Sequence, residues 1–380
     1  MNRGGNRRRA PVDRTILGVT LLLVGIGTVM VFSASSTVAA ARYGDGAWYL
    51  KRHLVRVVIG LTLLVVLAHA RYERIARLGG PLLVISLVAL VLVLMPALGV
   101  EAKGAHRWLA LGPFRFQPSE LARFALLLWL AHTLASRGSD ITRFRQDLLP
   151  VLGVIALVAG LIVLEPDYSS AFVLTSIGVG LVFLAGARFH QLSGLALATV
   201  PVAWAVLVSS PYRRQRILSF LDGGRDIQGS GYQVWQSLLG LGNGGLFGVG
   251  LGNSGQKLRF LPEPYNDFIF SVLGEELGFI GAVVVLGLFL VLVLRGLQVA
   301  YRAPDTVGTL LAAGVSLTVG LYVLINVGVV TSTLPATGLA LPFISYGGSG
   351  LVFSLAGIGL LLAVSRRALE VGTMEPGGGS

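Results

Sequence analysis

The 380 residues are 54% hydrophobic and 13% charged, with a formal net charge of +12 and no cysteine. A soluble domain carries roughly a quarter charged residues, so this composition, with a mean hydropathy of +0.78, argues against a soluble chain. The lack of cysteine excludes both a disulfide framework and a Cys-ligated metal site.

Residues 1–15 are polar and basic, with Arg3, Arg7, Arg8, Arg9 and Arg14. No small-residue cleavage site closes the apolar run that follows, so these arginines are read as a topology anchor rather than a signal peptide. Residues 16–365 are read as one all-α, polytopic membrane domain. Apolar blocks predict ten transmembrane helices, over 16–32, 54–68, 80–98, 118–135, 148–164, 170–187, 192–208, 267–294, 306–330 and 341–364. Helices are expected because lipid offers the backbone no hydrogen-bond partners. An even number of spans puts both termini on one side. With the long loop 209–266 between spans seven and eight set aside, Lys and Arg concentrate on that side, which predicts cytoplasmic termini. The tail 366–380 is expected to be disordered. Basic residues between apolar blocks point to anionic headgroups or phosphate-bearing lipids as partners, and away from nucleic acid.

Four polar clusters depart from a plain span-and-loop pattern. Gln117-Pro118-Ser119-Glu120 opens the fourth span, and Glu120 and Arg123 share a helix face. An ionisable pair there should face protein or water; a charged cavity wall and a helix-locking ion pair both fit. Glu165-Pro166-Asp167 ends the fifth span, as a turn or as the lining of a watery cavity. The loop 209–266 carries Arg213, Arg214 and Arg216, which suit phosphate or a solvated face. Its glycines, from Gly240 to Gly252, lack a nucleotide-loop context and suit close packing or a hinge. Asp267 enters the eighth span, as an N-cap or a functional carboxylate, with Glu275 and Glu276 about two turns deeper. The five histidines are scattered and read as structural or interfacial.

These segments, in order, resemble the SEDS family of cell-wall polymerases. The resemblance runs through Val31-Phe-Ser-Ala-Ser-Ser36, Lys103-Gly-Ala-His-Arg-Trp108, Phe116-Gln-Pro-Ser-Glu-Leu121 and Gly231-Tyr-Gln233. It continues through Asn266-Asp-Phe-Ile-Phe270, Gly274-Glu-Glu-Leu-Gly278 and Leu341-Pro-Phe-Ile-Ser-Tyr-Gly-Gly-Ser349. The form of the last segments, with Leu261-Pro-Glu-Pro-Tyr-Asn-Asp267, is closer to division members than to elongation members. Glu165 stands where the family commonly has Gln, and Arg123 where Lys is frequent.

The resemblance implies a ten-helix fold in the bacterial cytoplasmic membrane, at the division septum, and peptidoglycan glycosyltransferase activity on lipid II. It implies a class B penicillin-binding protein as partner, with other division or elongation proteins. It carries the catalytic aspartate onto Asp267 and the cavity ion pair onto Glu120 and Arg123. In that reaction a sugar hydroxyl attacks an anomeric carbon and undecaprenyl pyrophosphate leaves. Asp267 is then the expected base, Gln117, Glu165 and Asp167 line the cavity, and Arg107, Arg213, Arg214, Arg216, Lys257 and Arg259 are candidates for the pyrophosphate. A Mg²⁺ or Mn²⁺ ion suits such oxygen ligands, although no motif fixes one. A lipid II flippase, an elongation-type polymerase and a non-catalytic scaffold stay open as alternatives.

Overall fold

The computed structural model describes residues 12–95, 99–102, 105–112, 114–138, 143–208, 214, 220, 231–257 and 261–372. Helix α1, Arg14–Tyr43, starts where Asp13 Oδ1 accepts the N–H groups of Thr15 (3.0 Å) and Ile16 (3.2 Å). The other oxygen of Asp13 pairs with Arg295 Nε at 2.8 Å, which ties this start to the far end of a later helix. There follow α2 (Trp48–His69), α3 (Tyr72–Arg77), α4 (Gly79–Val93), α5 (Pro118–Ser136), α6 (Leu149–Leu164, entered through a π-turn at Phe144–Leu148) and α7 (Tyr168–Leu184). Then come α8 (Phe189–Val208), α9 (Tyr232–Gly244), α10 (Ile269–Tyr301), α11 (Thr306–Val330) and α12 (Ser349–Gly372).

Five of these are long and apolar enough to cross a membrane: α1, α6 with its π-turn, α10, α11 and α12 up to Leu369. Helices α4 and α7 are apolar but shorter. Each of the ten expected segments contains one helix. The core is mainly Leu, Ile and Val, and small residues let helices approach within it: a β-carbon on Gly359 of α12 would lie 2.6 Å from the Leu64 carbonyl of α2, so the two helices touch backbone to backbone.

The structure departs from the sequence reading in four places. The segment 99–117 is not a plain loop and the fold is not purely α: β1 (Gly99–Ala102), β2 (Ala105–Leu111) and β3 (Phe114–Phe116) form an antiparallel sheet in that order, with Val100 opposite Trp108 and Leu109 opposite Phe116. The expected long loop holds helix α9. The expected disordered tail is helical to Gly372, with Arg366 buried and donating to the Ala68 carbonyl at 3.0 Å.

The fourth is a break in α10. Gly278 has φ 71° and ψ −173°, so the helix stops and restarts there. The stretch Phe279–Tyr301 alone is roughly 35 Å long at 1.5 Å per residue, enough to cross a hydrocarbon core. Glu275 and Glu276 therefore sit before the crossing helix, not two turns inside it. The chain after α9 supplies the bonds that the break removes. Val249 N–H donates to the Glu275 carbonyl (3.0 Å), Gly250 N–H to that of Glu276 (3.1 Å), Phe279 N–H to that of Gly245 (2.9 Å) and Ile280 N–H to that of Leu246 (3.2 Å). Such contact needs glycine: a β-carbon on Gly244 would strike the Gly274 carbonyl, and one on Gly248 the Glu276 carbonyl.

Gly242, in the same helix as Gly244, has open space around it. Gly244→Ala is therefore expected to cost about 1–3 kcal/mol through overpacking, whereas Gly242→Ala should be neutral or slightly stabilising. Thermal unfolding of the two variants in detergent checks this; equal midpoints would contradict the close packing.

Candidate functional site

Between α11 and α12 the chain leaves the helix from Thr331 to Gly348. Pro342 and the Gly347-Gly348 pair suit that departure, because one lacks an N–H and the others carry no side chain. This irregular stretch passes three of the four polar clusters in turn. Asn326 Nδ2 donates both to the Leu339 carbonyl at 2.7 Å and to the Asp267 carbonyl at 2.8 Å. Ser345 Oγ donates to the Asn266 carbonyl and accepts from Leu341 N–H, each at 2.8 Å. Tyr346 N–H donates to the Tyr265 carbonyl at 2.9 Å. Farther on, Ser349 Oγ accepts from Gln117 N–H at 3.1 Å, and a β-carbon on Gly350 would lie 3.4 Å from the Glu120 carboxyl carbon.

Asp267 sits just before α10, whose N-cap is Phe268, so the N-cap reading of Asp267 is not what the chain adopts. The residue is partly exposed. One carboxylate oxygen faces Gly338, where a β-carbon would come within 3.5 Å of it, and Gly338 has φ 79°. A side chain at 338 would crowd this carboxylate and strain the backbone.

At the start of α5, Glu120 and Arg123 form a buried two-point pair. One Arg123 nitrogen donates to Glu120 Oε1 at 3.3 Å and the other bonds Oε2 closely. Tyr322 of α11 completes the group: its hydroxyl donates to Glu120 Oε1 at 3.4 Å and accepts from Arg123, whose guanidinium lies 4.5 Å over the ring. Beside this pair lies a small, mostly apolar pocket lined by Arg123, Phe124, Tyr322 and Phe353.

Gln117 also donates to Asp167 Oδ2 at 3.2 Å, linking the first cluster to the second. Ser169 Oγ donates to the Thr337 carbonyl at 2.9 Å, which ties the second cluster to the irregular stretch. Glu165, beyond the last turn of α6, is fully buried and neither carboxyl oxygen has a partner. Burial, then the neighbouring Asp167, pushes it up to about 9, against the opposing Arg107. Arg107 of β2 donates to the carbonyls of Glu165 and Pro166, so it braces the turn between α6 and α7.

Most of the third cluster's arginines lie outside the described residues. Arg213, Arg216 and Arg259 lie outside the described residues, as do Lys103, Gly104, 1–11 and 373–380; Arg214 is exposed. Lys257 is buried, donates to the Gly252 carbonyl and sits 3.8 Å from Glu276. Glu276 accepts from Ser33 Oγ at 2.6 Å, while Glu275 takes bonds from Ser254, Gly255 and Gln256. These carboxylates hold the chain after α9 against the broken helix. An open cleft of about 610 Å³ lies beside Lys257, between α1 and residues 251–257.

Sequence reasoning missed two residues of α2. His53 is fully buried with both ring nitrogens unpartnered, and Arg56 has an unpartnered buried nitrogen and lies 4.6 Å over the Tyr346 ring. The available signal was a basic residue inside a predicted span. Among the described residues, no group of three His, Cys, Asp or Glu side chains could hold a metal ion.

The chain is similar to known proteins along nearly its whole length. Residues 13–370 match the cell cycle protein family of FtsW, RodA and SpoVE. A probable peptidoglycan glycosyltransferase FtsW from Trichlorobacter lovleyi is 41% identical over 358 residues, 94% of each chain. Stage V sporulation protein E from Bacillus subtilis is 40% identical over 359 residues, 94% of this chain and 98% of that one. Among solved structures, a chain of a peptidoglycan synthase complex that coordinates polymerization and crosslinking has a TM-score of 0.78 and 34% identity, covering 94% of this chain and 98% of its own. The rod shape determining protein RodA of Thermus thermophilus has a TM-score of 0.69 and 32% identity, covering 93% and 97%.

Two stability outcomes follow from the geometry. Glu120→Ala leaves Arg123 buried without its carboxylate and should cost about 3–5 kcal/mol, whereas the double change Glu120→Gln with Arg123→Met should recover much of the loss; thermal unfolding in detergent decides. Glu165 has a folded pKa of about 9 against an ordinary value of 4.5. A carboxyl raised on folding favours the folded state most at low pH, so stability should fall as pH rises from about 4.5 towards 9. Glu165→Gln should flatten that part of the melting profile. An unchanged slope would contradict a buried, protonated Glu165.

Proposed function

The chain belongs to the FtsW, RodA and SpoVE family of cell cycle proteins, and from that membership we propose that it is a multi-pass membrane peptidoglycan glycosyltransferase that polymerises lipid II. In this reading the ten helices cross the cytoplasmic membrane of a bacterium. Both termini are cytoplasmic, and the end that carries the β-sheet and Asp267 faces outward. The working partner is a class B penicillin-binding protein that cross-links the new strand, at the division site. The partner is supported by the similar chain from a synthase complex that joins polymerization with crosslinking.

The observation that carries the enzymatic reading is the convergence of Asp267, the Gln117–Asp167 contact and the Glu120–Arg123 pair on the irregular stretch and the first turn of α12 that follows it. A sugar hydroxyl is a weak nucleophile at neutral pH, and a partly exposed carboxylate at the rim can accept its proton as it attacks. The anomeric C–O bond to the pyrophosphate then breaks, and the lipid pyrophosphate leaves with the electron pair. Asn326 acts through the backbone: by holding the Asp267 and Leu339 carbonyls it fixes the carboxylate against Gly338. Glu120 and Arg123 neutralise each other, so they shape and polarise the cavity wall and are poor proton carriers. Since no protein cluster gathers three metal ligands among the described residues, a Mg²⁺ or Mn²⁺ ion would draw most of its ligands from phosphate and water.

A lipid-moving path needs polar lining through the depth of the membrane, and in the sequence Glu275 and Glu276 are the carboxylates placed deepest beyond Asp267. Both have bonding partners that hold the chain together, which weighs towards the polymerase.

Purified chain with a matched class B penicillin-binding protein should polymerise labelled lipid II, and Asp267→Asn should reduce the initial rate by at least about 100-fold, as expected for loss of a general base. Equal rates would move the base elsewhere, and polymer from neither, beside an active control polymerase, would bring the flippase and scaffold forward.

A further inference from the structure

The outer turns of α2 carry positive charge that the site described above does not use. Arg52, His53 and Arg56 lie within eight residues of Trp48, where α2 begins. The Arg52 guanidinium lies 3.5 Å over the Trp48 ring, and Arg56 lies 4.6 Å over Tyr346. Among the described residues, no carboxylate forms an ion pair with either arginine; Asp45 is engaged with Lys51 at 2.8 Å. Arg56 lies inside the expected span 54–68, two residues or about 3 Å past its outer end at 1.5 Å per residue. A guanidinium at that depth is costly unless it faces a partner or water.

Three polar atoms here lack hydrogen bonds: both nitrogens of the fully buried His53 ring and one terminal nitrogen of Arg56. Arg56 is otherwise partly open. Tyr346 connects this group to the reaction centre, because its N–H bonds the carbonyl of Tyr265, two residues before Asp267. The Tyr265 hydroxyl in turn donates to that of Tyr49 at 2.9 Å, which closes an aromatic wall on one side. A forked, unpaired cation beside a ring that can donate one more hydrogen bond matches the oxygens of a phosphoryl group.

We propose that Arg56, with His53 beside it, binds the phosphoryl group of a membrane lipid next to Asp267. Two sources share that chemistry: the pyrophosphate of a polyprenyl-linked sugar, and the headgroup of an ordinary anionic phospholipid. The first source rests on the glycosyltransferase reading; the anion site itself does not.

The test is native mass spectrometry of the full chain in neutral detergent, titrated with undecaprenyl pyrophosphate or with undecaprenol. The wild type should hold the pyrophosphate about tenfold or more tighter than the alcohol, as expected for charge-assisted bonds. Arg56→Gln should abolish that preference and Arg56→Lys should keep part of it. Phosphatidylglycerol that competes equally assigns the site to phospholipid headgroups; failure to compete assigns it to the pyrophosphate, and both outcomes keep the site. A wild type that does not discriminate, or an Arg56→Gln chain that discriminates as well as the wild type, overturns it. If Arg56→Gln does not fold, the wild-type preference and Arg56→Lys still decide. Asp267→Asn should bind as the wild type does, which separates this site from the base; a wild type that binds selectively but, with a matched class B penicillin-binding protein, makes no polymer would remove the enzymatic reading and leave this site standing.

Discussion

Backbone that leaves the helix inside a bilayer must find its hydrogen bonds within the protein, and this chain leaves the helix twice near its polar centre. At Gly278 the substitute partners are the carbonyls and N–H groups of residues 245–250. Between Thr331 and Gly348 they come from side chains, Asn326 and Ser345, and from the backbone of Tyr265. The rest of the site depends on those substitutions. They place the start of α10, the turn between α6 and α7 and the start of α5 around one piece of chain.

The two breaks are held in different ways. The Gly278 break is close-packed: glycines admit backbone against backbone, Glu275 bonds residues 254–256 farther along the same chain, and Glu276 bonds Ser33 of α1 and faces Lys257. The second is held by a few side-chain hydrogen bonds, and Phe343 within it keeps a left-handed backbone at φ 64° although it is fully buried. Strained, buried backbone of that kind persists only where its surroundings over-determine it. A stiff frame around a partly exposed carboxylate suits a reaction whose main demand is positioning.

Much of this was legible in the sequence. Glu120 and Arg123, three residues apart on an apolar helix, had to meet or face a cavity, and they meet. Asp267 stood out as a carboxylate at a span entrance. The breaks were less visible. Residues 341–348 are apolar enough to pass for the start of a span, and Pro342 with Gly347-Gly348 was the only hint that the helix begins at Ser349. Gly278 looked like one small residue among many in an apolar run; its conformation is set by the loop that packs on it. The sheet was hidden because three short strands carry a weak pattern. His53 and Arg56 were hidden because an unpartnered atom is a property of three dimensions.

The central claim is that the irregular stretch positions Asp267 through Asn326. Steady-state lipid II polymerisation by the chain with a matched class B penicillin-binding protein, comparing wild type and Asn326→Ala, tests it most directly. The account predicts a fall in kcat of at least about tenfold, with KM nearly unchanged, since only the geometry of the transition state is disturbed. An Asn326→Ala enzyme with wild-type kcat, in a chain where Asp267→Asn is inactive, would contradict it.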